Sequence, residues 1–270
     1  MNKPVLPDFL SNILVVLTRT SHPANIGSAA RAMKTMGLTN LTLVAPNLMQ
    51  TPMTTQPPVF DSTNPDTFAL PEESFILASG AKDVLENAHV VATLNEALAD
   101  TTLSCALTSR RRELTAPLYT PREIMPSLLD TARAEQKIAL VFGNETYGLS
   151  IEEVQSCNRL ITINGNPEYF SLNLAQAVQV ICYELFSHVN SSMAHLIQPK
   201  NLATHQQTHD MVAHLRQVMD KAGFFNRRNE TRLMRRMAAM FDRAQLSTED
   251  IDILRGFYNT INQQIQKKQD

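Results

Sequence analysis

Short aliphatic runs and helical stripes alternate along the first two thirds of the chain. Ile13-Leu14-Val15-Val16-Leu17, Leu41-Thr42-Leu43-Val44 and Ile138-Ala139-Leu140-Val141-Phe142 are continuous apolar runs with β-branched residues, the pattern of strands buried on both faces. The stretches from His89 to Thr93, from Leu103 to Leu107 and from Leu160 to Ile163 predict three more strands. Ile26, Ala29, Ala30 and Met33 repeat at helical spacing up to Gly37, Glu96-Ala97-Leu98 is a shorter helical piece, and Leu174, Ala177, Val178, Ile181 and Leu185 form one amphipathic stripe. The alternation predicts an α/β domain with a mostly parallel sheet.

Two stretches break this rhythm. Pro46, Pro52, Pro57, Pro58, Pro65 and Pro71 punctuate residues 46 to 71 and leave no continuous period, so this part reads as a long surface excursion. The polar stretch after Ser191 reads as a linker. Beyond it the pattern is helical: Asp210 to Ala222 ends at Gly223, and Glu230 to Ala244 carries a Leu233, Met234, Met237 and Met240 core side. Ser247-Thr248-Glu249-Asp250 then opens a third helix with Ile251, Leu254, Tyr258, Ile261 and Ile265 on one stripe. The expected organisation is a catalytic-type domain at 1–190, a linker at 191–207 and an all-helical domain at 208–270.

Composition narrows the class. A hydrophobic share of 43% with 19% charged residues suits a globular protein rather than a disordered one. The longest strictly aliphatic run is far below the roughly 18 residues of a membrane span, and no signal-peptide pattern follows Met1, so the expected location is the cytoplasm. Cys105, Cys157 and Cys182 show neither disulfide nor zinc spacing and are expected to be reduced core thiols. His205 and His209 have helical metal spacing but lack the Glu of HExxH, and no metal is expected. The net charge of −2 is unevenly spread: residues 1–199 carry 12 Lys and Arg against 18 Asp and Glu, whereas residues 200–270 carry 12 against 8. A basic tail points to a polyanion or to a solvated helix face.

Three strand-to-helix loops hold the candidate chemistry. Thr20 to Arg31 follows a strand and opens a helix; Gly27, Arg31 and Lys34 share one face, so that Gly27 would admit a ligand and Arg31 could fork onto a phosphate or polarise an oxygen. Solvation of that face explains the two cations equally well. Phe142-Gly143-Asn144-Glu145-Thr146-Tyr147-Gly148-Leu149-Ser150 mimics a Walker A loop, but Leu149 replaces the phosphate-binding lysine, and no GxGxxG occurs. Ser150 with Glu153 forms a capping box, which leaves Glu145 in a glycine-flanked loop suited to binding or proton work. In Asn164 to Leu174, Ser171 is expected to cap the long helix, with Asn173 in its first turn.

In a parallel sheet these loops converge on one edge. Asn25-x-Gly27-x-x-x-Arg31, Phe142-Gly143-Asn144-Glu145-x-x-Gly148-Leu149-Ser150 and Ser171-Leu172-Asn173-x-Ala175 together resemble the three motifs of the SpoU/TrmH branch of the SPOUT RNA 2′-O-methyltransferases. His22 to Gly27, Met33 to Leu38 and Asn166-Pro167-Glu168-Tyr169 further resemble its tRNA anticodon-loop cytidine/uridine enzymes. The resemblance implies an S-adenosyl-L-methionine-dependent homodimer whose α/β domain ends in a trefoil knot, acting on nucleotide 32 of tRNA. It further implies catalytic roles for Arg31, Asn25, Glu145, Ser171 and Asn173. A cofactor site is implied at Thr108, Ser109, Arg110, Gly143, Ile163, Phe170, Ser171 and Leu172. RNA contacts are expected at Lys34, Arg227, Arg228, Arg232, Arg235 and Arg236, where dense arginine favours phosphate contact over simple solvation. A ribosomal RNA methyltransferase of the same branch and a non-catalytic RNA-binding protein are the competing readings. The presence of Arg31, Asn25 and Asn173 speaks against the second.

Overall fold

The computed structural model describes residues 6–109, 116–166, 168–169, 171–189, 201–225 and 230–267. It divides the chain into two compact units, Met1–Pro199 and Lys200–Asp270.

The first unit is built on seven strands: β1 (Ile13–Thr18), β2 (Asn40–Val44), β3 (His89–Val91), β4 (Leu103–Leu107), β5 (Leu118–Tyr119), β6 (Ile138–Phe142) and β7 (Arg159–Ile161). They form one sheet in the order β3-β2-β1-β6-β4-β7-β5, every pair parallel. Parallel strands need both faces covered. The odd positions of β1, Ile13, Val15 and Leu17, belong to a large core with α1 (Pro23–Thr35), α5 (Pro121–Arg133) and α7 (Leu174–Val189). Val16 belongs to a separate core with α4 (Leu94–Leu98) and α6 (Ile151–Gln155).

The chain leaves β4 for the edge strand β5, returns to the centre as β6, and only then runs out to β7. Strands β6, β4 and β7 consequently lie side by side, with Ala106 opposite Val141 and Leu107 opposite Ile161. Their following loops emerge together at the carboxyl edge of the sheet, where open α/β sheets place their sites.

Several elements depart from the sequence reading. Residues 72–88 carry two helices, α2 (Glu72–Ala78) and α3 (Lys82–Glu86), too short for a hydrophobic period to develop. Helix α5, which contains Pro126, and the two-residue β5 were also not foreseen. Strand β7 ends at Ile161, where its edge partner β5 also ends at Tyr119; Thr162 makes the last ladder bond, donating its N–H to the Tyr119 carbonyl, and Ile163 belongs to the loop. The excursion at 46–71 is irregular apart from a single turn at Pro65–Thr67, but Leu48 and Thr54 within it are buried.

The second unit contains α8 (His205–Lys221), α9 (Glu230–Ala244) and α10 (Thr248–Gln266) around Met211, Leu215, Val218, Ile251 and Tyr258. Residues 201–207, read as linker, belong to it: Ala203 donates to the carbonyl of Leu246 at 2.8 Å, and Thr204 with Gln207 forms the capping box that starts α8. A polar first turn hid this start from a hydrophobic pattern. His205 and His209 thus sit on α8, and burial, then the neighbouring His209, pushes the His205 imidazole down to about 4. Among the described residues no group of three or more His, Cys, Asp or Glu could hold a metal, and no helix is long and apolar enough to cross a membrane. All three cysteines are buried and outside disulfides; burial pushes the Cys105 and Cys182 thiols up to about 12.

Gly27 has a different role from the one its position suggested. A Cβ there would lie 2.1 Å from the Ser74 carbonyl oxygen and 2.9 Å from the Ala78 nitrogen. The missing side chain therefore admits the backbone of α2, not a ligand, and the Ser74 hydroxyl seals the contact by donating to the Pro23 carbonyl. Gly27→Ala must displace one helix from the other and is expected to destabilise the first unit by about 2–3 kcal/mol, the upper range for overpacking. Gly256→Ala on α10, where an added Cβ meets nothing within 4 Å, is expected to stabilise the second unit by up to about 1 kcal/mol. Thermal unfolding of the two variants checks both signs.

Candidate active site

The loops after β4, β6 and β7 surround a cavity of about 420 Å³. Thr108 and Ser109 form one side, Gly143 to Leu149 the second, and Ile163, Ser171 and Leu172 the third. Phe142, Ile161, Leu174 and Ala177 supply apolar lining. All six described residues expected at a cofactor thus meet in one place; Arg110 and Phe170 lie outside the described residues.

The Gly143–Ser150 loop is held as a tight turn. A Cβ on Gly143 would sit 2.2 Å from both the Gly148 carbon and the Leu149 nitrogen, so the loop can close only over a glycine. Gly148 adopts φ +67° and donates its N–H to the Asn144 carbonyl at 2.8 Å, while Asn144 Oδ1 accepts from the N–H groups of Thr146 and Tyr147. Ser150 and Glu153 form the expected capping box of α6. Arg19, which sequence reasoning did not single out, fastens this loop to β1. Its guanidinium donates to both Glu153 carboxylate oxygens, at 3.0 and 2.6 Å, and to the Gly148 carbonyl at 3.2 Å. Its own carbonyl accepts from the Asn144 amide at 2.7 Å. Arg19 does this with φ +50°, a left-handed backbone that no sequence pattern announced.

Glu145 binds the first loop to the second. Ser21 donates its N–H at 2.9 Å and its hydroxyl at 2.8 Å to Oε2, while the His22 N–H at 3.2 Å and the Asn25 amide at 2.9 Å donate to Oε1. Burial opposes ionisation of this carboxyl, but the donors outweigh it, led by the Asn25 amide and the Ser21 backbone, and hold its pKa below the ordinary 4.5. It is an anion at neutral pH with its acceptor positions filled. That makes it an organiser of the site rather than a ready proton acceptor.

The third loop joins through Asn25. With its Nδ2 committed to Glu145, Asn25 presents Oδ1, which accepts from Asn173 Nδ2 at 2.9 Å. Asn173 in turn faces its Oδ1 to the N–H groups of Ala175 and Gln176, at 2.9 and 3.3 Å. Asn173, not Ser171, is therefore the residue that caps α7; Ser171 stands free of that duty at the exposed rim of the cavity.

Arg31 lies on the outer face of α1, exposed, its side chain without hydrogen bond or ion pair to any described residue, and it is not part of the cavity lining. Lys34 is engaged otherwise than expected. Its ammonium donates to the Gly80 carbonyl at 3.0 Å and pairs with Asp83 at 2.6 Å, so it braces α1 against α3. In the second unit Arg232, Arg235 and Arg236 are exposed at i, i+3, i+4 spacing along α9; Arg227 and Arg228 lie outside the described residues.

Comparison with known proteins agrees with this geometry. Residues 62–183 match the SpoU rRNA Methylase family, and residues 206–270 match the tRNA methyltransferase TrmJ, C-terminal domain. The chain is 40% identical over 266 residues to the tRNA (cytidine/uridine-2'-O-)-methyltransferase TrmJ of Escherichia coli (strain K12), covering 94% of this chain and 97% of that protein. Among solved structures, a putative methylase family protein from Neisseria gonorrhoeae is 69% identical with a TM-score of 0.74, covering 79% of this chain and 98% of that one. TrmJ from Z. mobilis ZM4 is 31% identical, also at TM-score 0.74, covering 92% and 98%. The chain belongs to the SpoU/TrmH branch of the SPOUT methyltransferases and, within it, to the TrmJ family.

Glu145→Gln should show what the carboxylate holds together. A glutamine must turn an NH₂ toward buried donors, at a cost of about 1–3 kcal/mol. Because the folded pKa is depressed, the wild-type carboxylate contributes stability that is present above its ordinary 4.5 and is lost as pH falls through the folded value. The variant is expected to be less stable at pH 7 and to lose less stability on acidification. Unfolding midpoints measured from pH 7 down to pH 3 check this.

Proposed function

We propose that this protein transfers a methyl group from S-adenosyl-L-methionine to the ribose 2′-hydroxyl of a cytidine or uridine in tRNA, at nucleotide 32 of the anticodon loop. The observation that carries the reading is the Glu145–Asn25–Asn173 chain, which brings the three motif loops to one cavity. The lining fits an uncharged nucleoside with an amino-acid tail. It offers hydroxyls, amides and apolar side chains, and Leu149, buried, stands where a nucleoside triphosphate site would need lysine. Bound there, the cofactor supplies an electrophilic methyl on a sulfonium centre.

The protein's residues do the remaining work. Thr108, Ser109, Gly143, Ile163, Ser171 and Leu172 hold the cofactor. Asn25 and Asn173, fixed in orientation, leave one face of the relay toward the substrate. Arg31 is a guanidinium with no partner among the described residues, suited to a substrate phosphate or to charge developing on the attacking oxygen. A guanidinium gives up a proton only at high cost, so orienting and stabilising, not proton abstraction, are its parts in the reaction. Since Arg31 does not line the cavity of its own protomer, a homodimer that brings α1 of one subunit to the cavity of the other completes the site. Arg232, Arg235 and Arg236 place the tRNA through its phosphates, and such a substrate locates the enzyme in the cytoplasm. The match of residues 206–270 to the TrmJ C-terminal domain favours tRNA over ribosomal RNA.

The decisive assay is methyl transfer from labelled cofactor to tRNA transcripts. Activity is expected on a transcript with a pyrimidine ribose at position 32 and none on one with a 2′-deoxyribose there; equal labelling of both would refute the reading. Arg31→Ala is expected to lower the rate by at least about a hundredfold, the scale of one removed electrostatic donor, with cofactor affinity measured by calorimetry unchanged. Replacing Arg235 and Arg236 with alanine should flatten the slope of log affinity for tRNA against log salt by about one to two units.

A further inference from the structure

The excursion after β2 has a property that its proline content obscured. From Ala45 to Phe60 there is no Lys, Arg, Asp, Glu or His, although the stretch lies at the surface. Met49, Met53 and Val59 are 42%, 57% and 90% exposed, with Asn47, Gln50 and Gln56 exposed between them. A surface loop without a charge is unusual for solvation alone.

It is also firmly attached beside the active site. Asn47 donates its N–H to the Thr20 carbonyl at 3.1 Å, and Met49 donates to the Ser21 carbonyl at 2.9 Å. Ser21 is the residue that gives two hydrogen bonds to Glu145, so the excursion starts on the backbone that organises the site. Leu48 is buried beneath it. Farther along, the hydroxyls of Thr51 and Thr54 both donate to the buried Glu73 carboxylate at the start of α2, and Thr54 donates its N–H to Thr51 Oγ1 at 2.9 Å. Phe60 is anchored edge to face against Phe68, with ring centroids 6.1 Å apart. The loop is clamped at its start, middle and end, and its exposed thioethers, valine and amides stand between the clamps.

Resting on the function proposed above, we infer that Ala45–Phe60 is a base-reading surface that contacts unpaired nucleobases of the RNA next to the methylated ribose. Unpaired bases present apolar faces and amide-like edges, which Met, Val, Asn and Gln complement, whereas phosphates require cations that this segment lacks. An acidic loop here would repel the RNA, and a basic one would bind its backbone without regard to base. The segment divides the labour with α9: one reads bases, the other holds phosphates.

The test uses the full-length protein and the tRNA transcript. Replacing Met53 and Val59 together with alanine is expected to raise KM for tRNA by about five- to tenfold, the loss from one poorly packed base, with kcat at saturating tRNA and cofactor affinity within about twofold. The slope of log affinity against log salt should not change, because no phosphate contact is removed. Val59→Lys should steepen that slope by about 0.7 unit if RNA passes over the loop. An unchanged KM together with an unchanged salt slope in the lysine variant overturns the proposal. So does a loss of kcat and cofactor affinity, which makes the loop a prop of the catalytic backbone, or a changed subunit association with unaltered KM, which makes it a protein contact. If the wild-type protein fails to methylate tRNA at all, the proposed function fails instead.

Discussion

The site depends on one carboxylate that can only accept. Glu145 is ionised and its acceptor positions face donors from Ser21, His22 and Asn25, so the Asn25 side chain has a single allowed orientation. That orientation obliges Asn25 Oδ1 to face a donor, which Asn173 provides, and Asn173 must then present oxygen to the first N–H groups of α7. Polarity is thus passed without ambiguity from a loop of β6 to the start of α1 and on to the start of α7. Three segments, the first more than a hundred residues from the other two, acquire a fixed register through two amide side chains. Each link alone is an ordinary hydrogen bond; reversal of any one would leave two donors or two acceptors facing each other.

Around this chain the protein separates kinds of interaction by place. The cavity is lined by hydroxyl, amide and apolar side chains together with the Glu145 loop. The cation–carboxylate contacts nearby, Arg19 with Glu153 and Lys34 with Asp83, brace loops and helices. Arg31, by contrast, has no side-chain partner among the described residues. The arginine-rich face belongs to a separate helical unit, where steep electrostatic attraction can hold a polyanion without distorting the fine geometry of the catalytic loops.

Much of this was legible in the residue pattern. The continuous apolar runs of β1, β2 and β6 announced a parallel sheet, since only strands covered on both faces read that way. The bounds of α9 and the Ser247 cap of α10 were also plain, because amphipathic stripes and capping boxes are local. The short helices α2 and α3 were not, as seven and five residues are too few to repeat a stripe. The candidate site residues Asn25, Glu145 and Asn173 could be named from their motifs, but their partners could not, because the hydrogen bonds join positions 120 and 148 residues apart.

The sequence by itself determined the buried runs of β1, β2 and β6, the apolar stripes of α1 and α7 and which polar side chains stood in the three loops, because these follow from local periodicity and turn chemistry. It did not determine burial on α9, where Met240, expected on the core side, is 46% exposed. Only the tertiary structure decided what each side chain faces. Gly27 makes room for α2 rather than a ligand, Lys34 pairs with Asp83, Asn173 displaces Ser171 as the cap, and Arg19 adopts a left-handed backbone to pin the Glu145 loop. The Gly27, Lys34 and Arg19 contacts join segments distant in the chain, and the Asn173 cap, itself local, is oriented by Asn25 from 148 residues away. Spacing along a chain carries no information about such contacts until the strands are placed.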